Sequence, residues 1–466
     1  MSARLMMAVL ACLACQVPQA EAARKSRGPA TLADLASRSA PLRPDEPVVA
    51  DVGLAARSYE EFLQIPETDP ALRAQALRRL GDLRLTEAEN LRAQDGATSE
   101  RASVVAREAI AAYERLLAEQ PQGADTDVAI YQLARAHESL GEPDAALARL
   151  DELVTGHPDS AYYDEAQFRR GETFFSAQRY ADAERAYAAV LGRNASSAFR
   201  QQALYKHGWS LFKQSRDEES SASFLALLDG LLVEGGRVRP SADLSRPEQE
   251  LSADAMRALA ITFAASEGPV SLQAALDGHG AAPYESRLYR ALGDLYVEKE
   301  RYQDGAEAYR AFARRRPLDP DAPLLLVGAT EAYAKGGFTS LVLDGKRQLV
   351  EEYGPRSEFW RAQGPNLDPA VSNAVQSNLL DLAQHHHALA QKSGSSTDRD
   401  AAVRWYRDYL GGFDDAPQAP ATRLLLADLL FEGANFEAAA AEYERAAYSY
   451  GANPAAGRAG YAALVA

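Results

Sequence analysis

The residues best placed to do chemistry are three adjacent histidines, His385, His386 and His387, in the segment QHHHALA. A metal site on a helix needs ligands three or four residues apart, because only those share a face. Adjacent histidines point in three directions around a helix, so we interpret these as solvated or packed side chains. We interpret His137 and His207 in the same way, as core or interface residues.

Signatures of catalysis are otherwise missing from the sequence. It has no phosphate-binding loop, no GxSxG elbow and no HExxH pair. Carboxylates are plentiful, as in YEEF (59–62) and DEES (217–220), but such clusters are typical of solvated helix faces and first helical turns. We therefore expect no catalytic residues, no metal and no cofactor, and a protein that is not an enzyme.

Length and charge narrow the class of protein further. The chain of 466 residues is too long for one ordinary compact core, which favours several domains or an extended array. The net charge of −16 argues against nucleic-acid binding, because a phosphate backbone attracts a basic face. It also gives no reason to expect an anionic membrane surface as the partner.

The first 22 residues have the pattern of an export signal. Arg4 precedes an apolar run that ends at Cys15 and is too short to span a bilayer, and Ala20-Glu21-Ala22 is a small-x-small cleavage site. We predict a signal peptide over 1–22 and a flexible linker over 23–50, hence a periplasmic or outer-membrane-associated protein. One alternative is a buried first helix. Another is a lipid anchor on Cys15, since Leu13-Ala14-Cys15 loosely matches a lipoprotein site.

From Gly53 onward, apolar residues recur at intervals of three and four, the period of a helix. The segment 288–317 shows the organisation clearly. Its glycines, Gly293 and Gly305, are predicted to let two helices approach closely, while Tyr302 and Tyr309 fill the space beside them. Because glycine costs about 1 kcal/mol in a helix, close packing is the expected reason for it.

The same arrangement repeats along the chain. Ala134, Gly171 and Gly208 are 37 residues apart, and the following helices repeat Leu150, Tyr187 and Phe224 at the same interval. The clearest copies occupy 127–158, 164–194, 201–229, 286–317 and 420–450.

This pattern resembles the tetratricopeptide repeat family, and more narrowly its exported bacterial envelope members, such as the outer-membrane assembly lipoprotein and the Tol-Pal accessory protein. The resemblance implies an all-α, right-handed superhelical solenoid of stacked antiparallel helix pairs. We expect one block of repeats over 51–228, an interruption with a degenerate helix pair over 229–283, and a second block over 284–466. Gln167, Arg170 and His207 depart from the pattern, since those positions are usually apolar.

The C-terminal segment NPAAGRAGYAALVA reads as the first half of a further helix pair. This predicts an array that continues beyond Ala466; the alternative is a capping helix.

Aromatic and charged residues recur at the repeat interval on the first helices. In the geometry of the family these positions point into the concave groove, so they are the candidate binding site; the alternative is that the aromatics pack between neighbouring pairs. The candidates are Tyr131, Phe168 and Tyr205; Glu138, Phe175 and Phe212; Arg135, Glu172 and Trp209; and Lys213.

Together these features predict a non-enzymatic interaction scaffold of the bacterial cell envelope that holds a peptide or a partner helix. The alternative is a binding or regulatory arm of a cell-wall-acting enzyme whose catalytic part lies outside this chain.

Overall fold

A computed structural model describes residues 52–96, 98–193, 195–451 and 453–466. The predicted signal peptide, the linker and Cys15 lie outside the described residues. Residues 56–466 form one unit, and the fold presented below is that of this unit.

Helices account for nearly all of the described chain. The first nine are Val52–Leu63 (α1), Pro70–Asp95 (α2), Glu100–Glu119 (α3), Thr126–Leu140 (α4), Pro143–Gly156 (α5), Tyr163–Ser176 (α6), Tyr180–Arg193 (α7), Arg200–Phe212 (α8) and Asp217–Leu232 (α9). The next six are Arg246–Ala265 (α10), Pro269–His279 (α11), Glu285–Glu298 (α12), Tyr302–Arg315 (α13), Ala322–Lys335 (α14) and Thr339–Tyr353 (α15). The last six are Glu358–Gln363 (α16), Pro369–Ser393 (α17), Ser396–Gly412 (α18), Ala419–Glu432 (α19), Phe436–Tyr448 (α20) and Ala456–Val465 (α21).

Consecutive helices pack as hairpins, and each hairpin packs on the next. The regular hairpins within the described residues are α2–α3, α4–α5, α6–α7, α8–α9, α12–α13, α14–α15, α17–α18 and α19–α20. Each helix exposes one polar face and buries an apolar stripe, which a single hairpin cannot cover alone. The predicted all-α solenoid of stacked helix pairs is confirmed.

Close approach within a hairpin depends on a small residue facing an aromatic ring. A Cβ at residue 293 would lie 2.6 Å from Cζ of Tyr309, and a Cβ at residue 171 would lie 2.6 Å from Cζ of Tyr187. The same relation joins Gly208 to the ring of Phe224. The predicted role of these glycines in close helix packing is therefore confirmed.

The polar residues that depart from the repeat pattern bond to the preceding hairpin, across their own hairpin or along their own helix. Arg170 donates from Nε to Oδ1 of Asp151 at 2.7 Å, and its Nη1 donates to the buried Gln167 side chain at 2.6 Å. Nδ1 of His207 lies 2.9 Å from Oγ of Ser223. Hydrogen bonds thus satisfy these side chains where the pattern usually has apolar contacts.

In most of the regular hairpins the turn between the two helices contains one residue in the left-handed conformation. This position recurs at the repeat interval, although several of its occupants are not glycine. Its occupants are Gly141 (φ 72°), Gln178 (59°), Ser215 (59°), Glu300 (58°), Gly337 (75°) and Ala434 (58°).

The segment expected to interrupt the array contains a short β-hairpin and a helix pair. Val233–Glu234 (β1) pairs with Arg237–Val238 (β2) in antiparallel register, with Gly235 and Gly236 at the turn. The helix pair is α10 and α11. One buried apolar cluster nevertheless extends from Leu204 to Ala459 across this segment. The domain boundaries stay a prediction.

Candidate functional site

A groove lies along the first helices of two successive hairpins. It encloses about 730 Å³ between α4, α6, the start of α5 and the residue just before α8. We call it the Phe168 groove. Its lining consists of Glu138, Pro143, Asp144, Glu165, Phe168, Arg169, Glu172, Thr173, Ser176, Ala177 and Phe199.

Two half-buried aromatic rings form the apolar part of this groove. The ring centroids of Phe168 and Phe199 lie 5.5 Å apart. Phe168 also lies 5.7 Å from the ring of Tyr187, which is fully buried. Because the buried ring fixes its position, Phe168 offers a preformed apolar surface to an incoming side chain.

Arg169 is the one cation in the lining, and several acceptors hold it in place. Its Nη1 donates to Glu138 at 2.6 Å, and its Nη2 donates to Glu165 at 2.9 Å. Burial alone would lower the pKa of Arg169, but the nearby oxygens of Tyr131 and Glu138 outweigh burial and raise it. The guanidinium is therefore charged, and its bonds hold α4 and α6 together along the groove.

Glu172 joins three helices at the next turn. Its Oε1 accepts the hydroxyl of Tyr187 on α7, and its Oε2 accepts from Nζ of Lys206 on α8 at 2.9 Å. The same ammonium lies 5.3 Å from the ring centroid of Phe175. Burial, followed by the hydrogen bond to Glu172, raises the pKa of Tyr187, which keeps this hydroxyl protonated.

Of the ten candidate residues, the structure brings Glu138, Phe168 and Glu172 together in the lining. Tyr131 is only 4% exposed and stacks on Tyr162 with ring centroids 4.4 Å apart, so its ring packs between helices. Arg135 forms an ion pair with Glu89 on α2 instead of facing the groove residues.

The candidates on α8 form a separate aromatic group. Trp209 contacts Tyr205, Phe212 and the fully buried Phe224, with ring centroids 6.3, 5.4 and 5.8 Å away respectively. Lys213 is exposed at the end of this helix. These residues lie outside the lining of the Phe168 groove, and Trp209 contributes to core packing.

The repeat argument missed Asp144, Glu165, Arg169 and Phe199, which also line the groove. One signal was present in the sequence: Glu165 and Arg169 are four residues apart, the spacing of an ion pair on a helix face. Phe199 had a signal too, because it follows Tyr162 by the repeat interval of 37 residues and both precede a first helix directly.

His386 and His387 are engaged in packing and hydrogen bonds, whereas His385 is exposed. His387 is buried, with its Nδ1 3.1 Å from the hydroxyl of Tyr406, and Nδ1 of His386 lies 3.0 Å from Asp398. The residues described here contain no group of His, Cys, Asp and Glu side chains able to hold a metal ion. Nor, over the same ranges, does any helix combine the length and apolar character needed to cross a bilayer.

The fold and the groove define a helical-repeat protein, an architecture typical of protein-interaction scaffolds. The sequence profile of the tetratricopeptide repeat family matches residues 131–198, 168–230 and 290–334. These segments are tetratricopeptide repeats. A comparison with curated proteins gave no match.

A comparison with solved structures gave matches at low identity. A structure of Naa15/Naa10 bound to HypK-THB has 13% identity and a TM-score of 0.30; the match covers 85% of this chain and 63% of that one. The C-terminal part of a TPR repeat-containing protein from Cytophaga hutchinsonii has 11% identity and a TM-score of 0.26. The match covers 63% of this chain and 98% of that one. The TPR domain of P58(IPK) has 14% identity and a TM-score of 0.20. The match covers 83% of this chain and 97% of that one.

Proposed function

We propose that this protein is a non-enzymatic scaffold that binds an extended or helical segment of another protein in the Phe168 groove. The observation that carries the proposal is the lining itself. Preformed aromatic surface from Phe168 and Phe199 lies beside four carboxylates and a single guanidinium. Aromatic anchors surrounded by charged groups are the usual composition of a peptide-binding surface.

The charges in the lining favour a basic partner. Arg169 is already bonded to Glu138 and Glu165, so it offers little to an acidic ligand. Asp144 is exposed in the first turn of α5 and faces the groove without an ion pair among the described residues. A partner segment with one apolar anchor for Phe168 and a Lys or Arg for Asp144 would match this surface.

A selection experiment tests this function. A displayed library of random peptides is selected on the full chain and counter-selected on the Phe168→Ala variant. We expect enriched peptides that combine an apolar residue with Lys or Arg and that lose at least tenfold in affinity for Phe168→Ala, as expected at a binding hot spot. Peptides that bind both proteins equally, or an enrichment of acidic peptides, would refute the groove as the binding site.

Localisation in the cell envelope is a separate part of the proposal. Its support is the pattern of residues 1–22, with its short apolar run and Ala20-Glu21-Ala22. N-terminal sequencing of the protein from its native host should give Ala23 as the first residue. An intact Met1 would refute export, and an acylated Cys15 would indicate anchoring to a membrane.

A further inference from the structure

A second cavity lies in the part of the array where the repeat spacing is irregular. It encloses about 610 Å³ between α9, α10 and α11 and is separate from the Phe168 groove. Buried Leu225 and Phe263 line its apolar side together with three alanines. Its size and its largely apolar lining are those of a small-molecule site.

Ser221 is the unexplained polar group in this lining. It is only 2% exposed and lines the cavity, and its hydroxyl makes no hydrogen bond within the described residues. The hydroxyl is not one of the fully buried unpaired atoms, so it remains accessible from the cavity. The Ser221 hydroxyl is therefore available to a ligand in the cavity.

His279 supplies an imidazole held in one orientation. Its Nε2 lies 2.8 Å from Oδ2 of Asp229, whose Oδ1 accepts the hydroxyl of Tyr284 at 2.7 Å. Since a carboxylate can only accept, Nε2 is the nitrogen that donates. The position of the imidazole is fixed before any ligand arrives.

The charged groups of the lining all have one sign. Asp217 and Glu218 line the cavity, whereas no lysine or arginine does. The neighbouring cation, Arg216, is bonded to Glu184 and Glu219 instead. Carboxylates without a compensating cation favour a positively charged ligand.

We propose that this cavity binds a small organic ammonium ion, with a compact apolar body packed on Leu225 and Phe263. The ammonium group donates to the lining acceptors, and the Ser221 hydroxyl accepts one of these bonds. Such a ligand satisfies the unpaired hydroxyl and neutralises the carboxylates, which a neutral or anionic ligand of the same shape does not.

Three probes of one shape test the proposal on the full chain by isothermal titration calorimetry. They are 2-phenylethylammonium, 2-phenylethanol and 3-phenylpropionate. We expect saturable binding of the ammonium, binding of the alcohol weaker by about fivefold or more, and the weakest binding for the carboxylate. Absence of saturable ammonium binding, or equal binding of the anion, would overturn the proposal.

Two variants locate the site. A Cβ at Gly278, on the cavity lining, would meet no atom within 4 Å, so Gly278→Leu adds a bulky side chain at the lining without a backbone clash and should weaken or abolish binding. Gly230→Leu is the matched control, because Gly230 is also helical with open space around it, lies outside the cavity and should bind normally. Ser221→Ala should weaken ammonium binding by about three- to tenfold. Unchanged affinity in Gly278→Leu would place the ligand elsewhere.

Discussion

The ring of Tyr309 occupies the space that a side chain at Gly293 would need. A Cβ at residue 293 would lie 2.6 Å from Cζ of that ring, while the Tyr309 hydroxyl donates to Asp294 at 2.6 Å. The small residue, the carboxylate that follows it and the facing tyrosine recur in other hairpins. The other sets are Gly81, Asp82 and Tyr113; Gly171, Glu172 and Tyr187; and Ala427, Asp428 and Tyr443.

Replacing Gly293 with alanine should destabilise the protein. The added methyl group collides with the Tyr309 ring, and overpacking of this kind costs about 1–3 kcal/mol, partly offset by the better helix propensity of alanine. We expect the free energy of unfolding, measured by urea denaturation, to fall by about 1–2 kcal/mol. Gly230→Ala has open space around it and should raise the free energy of unfolding by about 0.5–1 kcal/mol. Equal effects of the two substitutions would contradict the packing account.

Removing the Tyr309 hydroxyl isolates the hydrogen bond from the packing. Tyr309→Phe should lower the free energy of unfolding by about 0.5–1.5 kcal/mol, because the bond to Asp294 is lost while the ring remains. Tyr289→Phe is the matched control, since the buried Tyr289 hydroxyl has no partner and its removal should be neutral or stabilising. A larger loss for Tyr289→Phe than for Tyr309→Phe would show that the hydroxyl bonds do not stabilise the hairpins.

Buried tyrosines should make the fold sensitive to alkaline pH. Burial, followed by the charge of Glu285, raises the pKa of Tyr289 to about 12, and burial with the Asp294 bond raises that of Tyr309 further. The unfolded chain loses these protons near pH 10. Stability is therefore complete below about pH 10 and falls as the pH rises, by up to about 1.4 kcal/mol per pH unit for each such tyrosine. Melting temperature followed together with tyrosinate absorbance checks this. Tyrosines that ionise well below the unfolding transition would contradict the expectation.

The left-handed turn position offers a stabilising substitution. Ala434 has φ 58°, a conformation that costs a non-glycine residue about 1–2 kcal/mol. Ala434→Gly removes this strain at a smaller entropic cost, so the free energy of unfolding should rise by about 0.5–1 kcal/mol. The same change at Ala439, a buried helical residue of α20, should be destabilising. Thermal denaturation of both variants measures the difference, and a loss of stability in Ala434→Gly would argue against strain at the turn.

Sequence periodicity predicts what every hairpin shares. The spacing of Gly293 and Tyr309, like that of Gly171 and Tyr187, follows from helical geometry that is the same in each copy, and the structure confirms it. Periodicity does not decide which way one side chain turns. Phe168 is half-buried and lines the groove, whereas Tyr131, 37 residues earlier, is only 4% exposed. Their ring partners, Phe199 and Tyr162, are also 37 residues apart, but the Tyr162 ring stacks on Tyr131 at 4.4 Å whereas the Phe199 ring is tilted against Phe168 at 5.5 Å.

Features that depend on a single irregular contact could not be predicted from the repeat. The cavity that contains Ser221 exists because α9, α10 and α11 meet without the usual spacing, so no recurring position indicates it. The left-handed turn was missed for another reason. Gln178, Ser215 and Glu300 occupy it, and none of them carries the glycine signal by which such turns are recognised.

The most direct measurement of the binding claim is a charge reversal in the groove. Asp144→Lys is compared with Glu437→Lys; both residues are exposed acids in the first turn of a second helix, and only Asp144 lines the Phe168 groove. Fluorescence anisotropy with a basic peptide from the selection should show about three- to tenfold weaker binding to Asp144→Lys at low salt, less at high salt, and unchanged binding to Glu437→Lys. Equal affinity of the two variants for the peptide would contradict binding in the Phe168 groove.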